Sequence, residues 1–238
     1  RRISCSANLD TKKGVKFGTW NVRSAYEAGK INNIILEMKR LDIQILGISE
    51  MRWLNSGKCI IDDYHVYYSG EEGNQHRNGV GFILSPEVNR SVTSVCNISD
   101  RVIMMQLKSS PFNINLVQVY APTSQSSEED IETFYSQVEI ATKTFQDKNI
   151  NIILGDLNAK VGEGRDEDVI GPYGLGKRND RGDVLVEFCK DNQMCIMNTY
   201  FKLPKRRLYT WTHPAHTAHN LIRNQIDFII IKKRFRNA

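Results

Sequence analysis

Asp156 and Asn158 stand where side chains can do chemistry. They close a Gly155-Asp156-Leu157-Asn158 segment that follows the apolar run Ile150 to Leu154. Such a run reads as a buried strand. A carboxylate and an amide two residues apart then meet at its C-terminal end, the edge where α/β folds build their sites. A carboxylate there can take a proton from water, and an amide can orient an oxygen of a bound phosphate. Asp and Asn also start ordinary turns, so the segment gains weight from its companions. In chain order these are Thr19-Trp20-Asn21-Val22-Arg23, Ile48-Ser49-Glu50, Val119-Tyr120-Ala121-Pro122 and Asn224-Gln225-Ile226-Asp227-Phe228. Each brings a polar group to the edge of an apolar run. Capping or turn chemistry explains one such residue; five in the same register point to a shared site.

The elements that must position these groups can be read from periodicity. Val15 to Val22 reads as a strand, Tyr26 to Leu41 as a helix through Ile31, Ile34, Ile35, Met38 and Leu41, and Asp42 to Ser49 as a second strand. Short strands follow at about 58–68, 79–84, 91–98, 101–108 and 112–119, with Gly70 to Asn78 a polar loop. Ser126 to Asp147 opens on a cap-like Ser-Ser-Glu-Glu-Asp cluster and predicts an amphipathic helix through Ile131, Phe134, Val138 and Phe145. Gly162 to Gly182 predicts a long loop and Asp183 to Asn192 a helix. Met194 to Thr199, Leu208 to Thr212 and Gln225 to Ile231 predict strands. Many strands with few helices predict an α/β fold of two packed mixed β-sheets with helices outside. With no linker and no repeat, residues 15–238 read as one domain behind a polar lead-in, 1–14.

Composition narrows the class. The 238 residues are 40% hydrophobic and 25% charged, ordinary for a globular protein with a sizeable core. No apolar run is long enough to span a membrane. The N-terminus has no apolar signal region and no initiator Met, so the chain reads as a fragment. Cys5, Cys59, Cys96, Cys189 and Cys195 are odd in number, widely spaced and lack a CxxC pair. That argues against a zinc site or a disulfide framework and for a reducing, intracellular compartment. Cys96 and Cys189, among apolar neighbours, read as small core residues. His213, His216 and His219 have a ligand-like spacing, but their polar setting reads as a solvated loop.

A net charge of +5 suits an anionic partner such as nucleic acid. Lys202, Lys205, Arg206 and Arg207 precede Tyr209-Thr210-Trp211. Basic residues beside aromatics suit phosphates and stacked bases; for the basic residues a solvated loop leading into a core strand reads equally well, and Trp211 itself reads more readily as a buried core residue. Lys177 to Gly182 is a second basic loop and contains Asn179. Arg52 and Trp53, just after Glu50, read as groove-lining. Lys232-Lys233-Arg234-Phe235-Arg236 reads as a nuclear localisation cluster or as surplus charge at a domain end.

As an ordered set, the motifs resemble those of the endonuclease/exonuclease/phosphatase superfamily. The wording TWNVRS, GISEMRW, HRNGVGFIL, VYAPTS, GDLNAKVG, YTWTHP and RNQIDFIII is closest to RTE-type non-LTR retrotransposon endonuclease domains and to proteins of the craniofacial development protein 2 type. The resemblance covers about residues 15–235. It implies a DNase I-like four-layer α/β/β/α sandwich and hydrolysis of a DNA phosphodiester by water, assisted by Mg²⁺, with Mn²⁺ as a substitute. Glu50 matches the metal ligand. Asp156 matches the base, Asn158 the residue that holds phosphate or water, and Asn21 the residue that orients the metal-binding carboxylate. Tyr120 matches a donor to the phosphate. Asn179, Lys205, Arg206, Arg207, Arg52 and Trp211 are substrate-contact candidates.

Two departures stand out. Arg23 replaces an Asp that helps bind metal in many relatives; it weakens metal binding by repulsion or contacts phosphate itself. Asp227 matches an Asp that pairs with a His from a closing Ser-Asp-His motif, and no such motif occurs here. The chain therefore reads as truncated at its C-terminal end. The absent segment is expected beside the Asp227 strand, leaving an aggregation-prone edge at Ile229, Ile230 and Ile231. The resemblance implies DNA as partner, no membrane, a reverse transcriptase region in the same parent polypeptide, and a nuclear location. Nothing in the sequence sets an oligomeric state. Two alternatives stay open: a domesticated remnant that binds DNA without cutting it, and a phosphodiesterase or phosphatase acting on lipid or inositol phosphates.

Overall fold

The structure, a computed structural model, describes residues 8–10, 14–214 and 222–237. The chain begins with β1 (Leu9–Asp10), β2 (Phe17–Asn21), α1 (Lys30–Leu41) and β3 (Ile45–Ser49). The hairpin β4 (Ser56–Ile61) and β5 (Tyr64–Ser69) follows, then β6 (Val80–Leu84), α2 (Pro86–Asn89), β7 (Val92–Ser99), β8 (Val102–Leu107) and β9 (Ser109–Ser110). The second half contains β10 (Ile114–Tyr120), α3 (Glu128–Lys143), β11 (Ile150–Asp156), α4 (Asp180–Asp191) and β12 (Met194–Ile196). It ends with β13 (Trp211–Thr212), β14 (Arg223–Asn224) and β15 (Asp227–Lys232).

Two mixed sheets carry the fold, one ordered β2-β3-β6-β5-β4 and the other β12-β15-β11-β10-β8-β7. Helix α1 lays Ile31, Ile34, Ile35 and Met38 on the outer face of the first sheet, against Leu46, Ile48, Val66 and Ile83. On the outer face of the second sheet, Phe134 and Val138 of α3 and Leu185 and Val186 of α4 meet Val117, Val119, Ile153 and Ile230. The inner faces close on each other through Ile45, Phe82, Leu84, Met105, Leu116 and Leu154. The result is the four-layer α/β/β/α sandwich that the motifs imply.

Local chemistry sets the boundaries. A capping box starts α3: Ser127 Oγ accepts from Asp130 N, and the Asp130 carboxylate accepts from Ser127 N. The first helix begins at Lys30 rather than Tyr26, because the preceding residues are bound elsewhere. Ser24 N and Ala25 N donate to the carbonyls of Glu50 and Met51, at the end of β3. The segment 58–68 is a hairpin that turns at Asp62 and Asp63, both left-handed (φ 46° and 67°). The strand expected over Met194 to Thr199 stops at Ile196, where Thr199 Oγ1 donates to the Ile196 carbonyl and a 3₁₀ turn follows. Of Leu208 to Thr212, only Trp211 and Thr212 pair as strand.

Two expectations are corrected. Strand β15 is not an edge. It lies between β11 and β12, and Asn198 Oδ1 accepts from Ile229 N beyond the end of β12. Among the described residues, the edge strands are instead β2 and β4 in the first sheet and β12 and β7 in the second. Cys96 is exposed rather than buried, because β7 is the outermost strand of its sheet; Cys189 is buried as expected. Cys5, His216 and His219 lie outside the described residues. No helix among the described residues is long and apolar enough to cross a membrane.

Candidate active site

A strand shows alternate side chains to alternate faces, and this rule assembles the site. On β2, Phe17, Thr19 and Asn21 face the opposite sheet; on β3, Ile45, Gly47 and Ser49 do. Leu116, Gln118 and Tyr120 on β10, Ile152, Leu154 and Asp156 on β11, and Asp227, Ile229 and Ile231 on β15 occupy the facing side. Asn21 is paired with Ser49, Tyr120 with Asp156, and Asp156 with Asp227. The two inner faces, apolar along most of their length, thus turn polar together at one end. Just below that end, buried Gln118 Nε2 donates to Ser49 Oγ (2.9 Å), which donates to the Val119 carbonyl (3.0 Å).

One side chain joins the two sheets at the surface. Asn21 Nδ2 donates to Glu50 Oε1 and to Asp156 Oδ2, both at 2.8 Å, while its Oδ1 accepts from Arg23 N. Glu50, one residue past β3, is left-handed (φ 53°), as are Arg23, Arg52 and Asn158. Positive φ in non-glycine residues is strained backbone that collects at functional sites. Asp156 Oδ1 accepts from Asn158 N (3.0 Å), and Asn158 Nδ2 is tied to the Ala121 carbonyl (2.8 Å). The Tyr120 hydroxyl lies close to the Glu50 carboxylate. The Arg101 guanidinium lies 5.2 Å from the Tyr120 ring centroid.

Three carboxylates share this end of the sandwich. Burial raises the pKa of Asp156 to about 6, with the nearby Glu50 adding to the shift and the Asn21 and Asn158 bonds opposing it. Burial, then the Asp156 charge, raises Asp227 to about 7. Asp227 Oδ1 is buried with no hydrogen-bond partner among the described residues. Burial and the same carboxylates raise Tyr120, so it remains a proton donor.

A folded state that holds these protons more tightly than the unfolded chain is favoured at low pH. That advantage is full below about pH 4 and is lost as the pH rises through about 6 to 7. The metal-free protein is therefore expected to melt several degrees lower near pH 8 than near pH 5, with Asp227→Asn flattening the profile. A wild-type Tm that rises over this range would contradict the assignment.

The arrangement suits a hard divalent cation. Its cleft offers the hard carboxylate oxygens of Glu50 and Asp156 and, among the described lining residues, no soft ligand. Among the described residues no group of three or more His, Cys, Asp or Glu converges to hold a metal. An ion would rest chiefly on Glu50, with non-protein oxygens completing its shell.

The carboxylates open onto a cleft of about 550 Å³. Asn21, Glu50, Tyr120, Asp156 and Asn158 line it, as do Arg23, Asn179 and Trp211. Asp227 faces an adjoining hollow that also contains Arg23 and Thr210, and Thr210 Oγ1 accepts from Asp227 N. Trp211 is half-buried on the cleft wall, not a core residue, because its short strand pairs with Asn224 outside the main sheets. Arg52 holds Glu50 Oε2 from beside the cleft (3.0 Å) rather than lining it, and Trp53 packs in the α1 layer with Nε1 on the Ala25 carbonyl. Lys205, Arg206 and Arg207 sit exposed on a 3₁₀ turn away from the cleft, with Lys205 paired to Glu163. Lys160, Gln118 and Ser49 went unmarked in the sequence, although Gln118 and Ser49 interrupt apolar strands close to Tyr120 and Glu50.

The sequence pattern of the endonuclease/exonuclease/phosphatase family matches residues 18–237. A bovine (Bos taurus) craniofacial development protein 2 is 40% identical over 222 residues, which is 93% of this chain and 36% of that protein. The chain thus spans little more than a third of the length of the curated relatives it matches. An AP endonuclease from Archaeoglobus fulgidus superposes with a TM-score of 0.66 at 19% identity, covering 93% of this chain and 88% of that one. The endonuclease domain of TRAS1, a telomere-specific non-LTR retrotransposon, superposes with a TM-score of 0.61 at 14% identity, covering 91% and 84%. With nearly its full length matched, the chain belongs to the endonuclease/exonuclease/phosphatase family.

Proposed function

We propose that this chain nicks DNA, hydrolysing a phosphodiester with the help of Mg²⁺ or Mn²⁺. The reading is carried by Asn21, whose single amide nitrogen holds Glu50 and Asp156 at 2.8 Å each and so faces a metal-binding carboxylate and a base into one cleft. Glu50 would hold the cation, which supplies charge neutralisation on the phosphate and the leaving oxygen. Asp156, raised towards neutrality, takes the proton from the attacking water. The water oxygen bonds to phosphorus as the bond to the leaving sugar oxygen breaks. Tyr120 donates to a phosphate oxygen as charge builds there. The Asn158 amide, anchored through its nitrogen, presents its oxygen to the water. Arg23 contributes a cation to the cleft and pairs with the phosphate. Asp227 keeps an unpartnered acceptor oxygen beside the site.

The RTE-like motif wording extends the proposal to nicking of a target site ahead of reverse transcription in a longer parent polypeptide, and hence to a nuclear location. Supercoiled plasmid incubated with the chain and Mg²⁺ is expected to yield open circles. EDTA should abolish them, and inositol phosphates under the same conditions should release no phosphate. Phosphate release without nicking would replace the nuclease reading with a phosphatase one; salt-dependent DNA binding without nicking would favour a non-cutting binder.

A further inference from the structure

We infer that Lys160 anchors a second backbone phosphate of the bound DNA, beside the one that is cut. The inference rests on the nuclease reading and adds a contact to it. Lys160 lies two residues beyond Asn158, on the side of the cleft contributed by the second sheet; Arg23 extends from the first. Its backbone is clamped. Lys160 N donates to Asn179 Oδ1 (2.9 Å), and its carbonyl accepts from Asn179 N (3.1 Å). Helix α4 presses on the same carbonyl: a Cβ on Gly182 would stand 1.9 Å from Lys160 O, so only glycine permits this approach. The side chain therefore springs from a fixed point on the cleft wall.

Its charge has no counterpart in the protein. Arg178 and Arg181, on either side of Asn179, are spent on Asp166 (2.8 Å) and Glu128 (2.9 Å). Lys160, in contrast, makes no ion pair among the described residues, even with the cleft's own carboxylates. A lysine that lines a catalytic cleft and is left without an ion pair is complementary to an anion that arrives with the substrate. A polynucleotide brings such anions on both sides of the scissile phosphate. Arg23, which follows a strand of the first sheet, and Lys160, which follows a strand of the second, both line the cleft, so the DNA strand is gripped from both walls.

The test is binding of a short fluorescent DNA duplex in EDTA, where no cutting occurs, over a series of KCl concentrations. Lys160→Gln is expected to weaken binding about tenfold. It should also reduce the slope of log Kd against log salt by about 0.9, the signature of one lost phosphate contact. Lys160→Arg should keep both, and Lys143→Gln, on the outer face of α3, should change neither. Equal slopes for wild type and Lys160→Gln would overturn the assignment while leaving the nuclease reading intact. So would a Lys160→Gln enzyme whose nicking pH profile moves at constant slope, because the lysine would then serve only the carboxylates. A wild-type chain with no salt-dependent affinity for DNA would overturn the nuclease reading itself, and the assignment with it.

Discussion

Replacing Asp156 with Asn is expected to slow Mg²⁺-supported nicking about 1000-fold, the scale of losing a positioned general base, and yet to raise the melting temperature near pH 8. The two effects share one cause. Asp156 is 3% exposed and its burial favours the protonated form. Ionising it at the working pH makes it a base and costs the fold on the order of a few kcal/mol. The unfolded chain ionises its carboxylates near pH 4, so the cost appears between there and about pH 6 and persists above. Asn carries no charge and can still accept from Asn158 N; it loses the bond from Asn21 Nδ2, a smaller loss than the ionisation cost it removes. Single-turnover nicking and thermal melts near pH 5 and pH 8 measure both effects. A variant within threefold of the wild-type rate would remove Asp156 from the role of base. Mg²⁺ adds a readout independent of cutting: it should raise the Tm of the wild type near pH 8 but not that of Glu50→Gln.

Gly155→Ala is expected to cost about 4 kcal/mol or more. The added Cβ would lie 2.0 Å from the Val119 carbonyl oxygen, a backbone atom of the neighbouring strand. The residue's φ of 149° is one that L side chains rarely adopt. Strands β10 and β11 pair in parallel through this point, Val119 opposite Gly155. Relief would require them to separate next to Tyr120 and Asp156. Urea unfolding measures the loss, and a well-folded variant melting within a few degrees of the wild type would mean that the strands do not approach as closely as described. The glycine of the Gly-Asp-x-Asn segment thus does structural work for the two polar residues that follow it.

Why was so much of the site legible in the chain? Four of the motifs close apolar runs and the Asp227 motif opens one, and strand alternation then fixes which residue of each faces inward. Asn21, Tyr120, Asp156 and Asp227 follow from counting in twos along their strands. Other features depend on contacts between distant segments, which periodicity does not encode. Trp211 reads as core because it sits in an apolar-looking strand; its place on the cleft wall comes from pairing with Asn224. Arg52 looks like a groove residue because it follows Glu50, but a left-handed backbone turns it back onto that carboxylate. The basic run at Lys205 to Arg207 has a composition that suits DNA, yet its 3₁₀ turn places it beside Glu163. Lys160 carries no local signal; only the approach of α4 makes it a fixed cation.

The placement of β2 has a consequence for how the protein fails. Its last residue, Asn21, is the link between Glu50 and Asp156, and among the described residues the strand is paired on one side only. Outer strands detach in local openings that cost less than global unfolding. Detachment of β2 would uncouple the Glu50 carboxylate from Asp156 while the sandwich behind them stays closed. Heat or mild denaturant should therefore silence the enzyme before it melts, with the amides of residues 17–21 exchanging with solvent well ahead of those in the central strands β10 and β11.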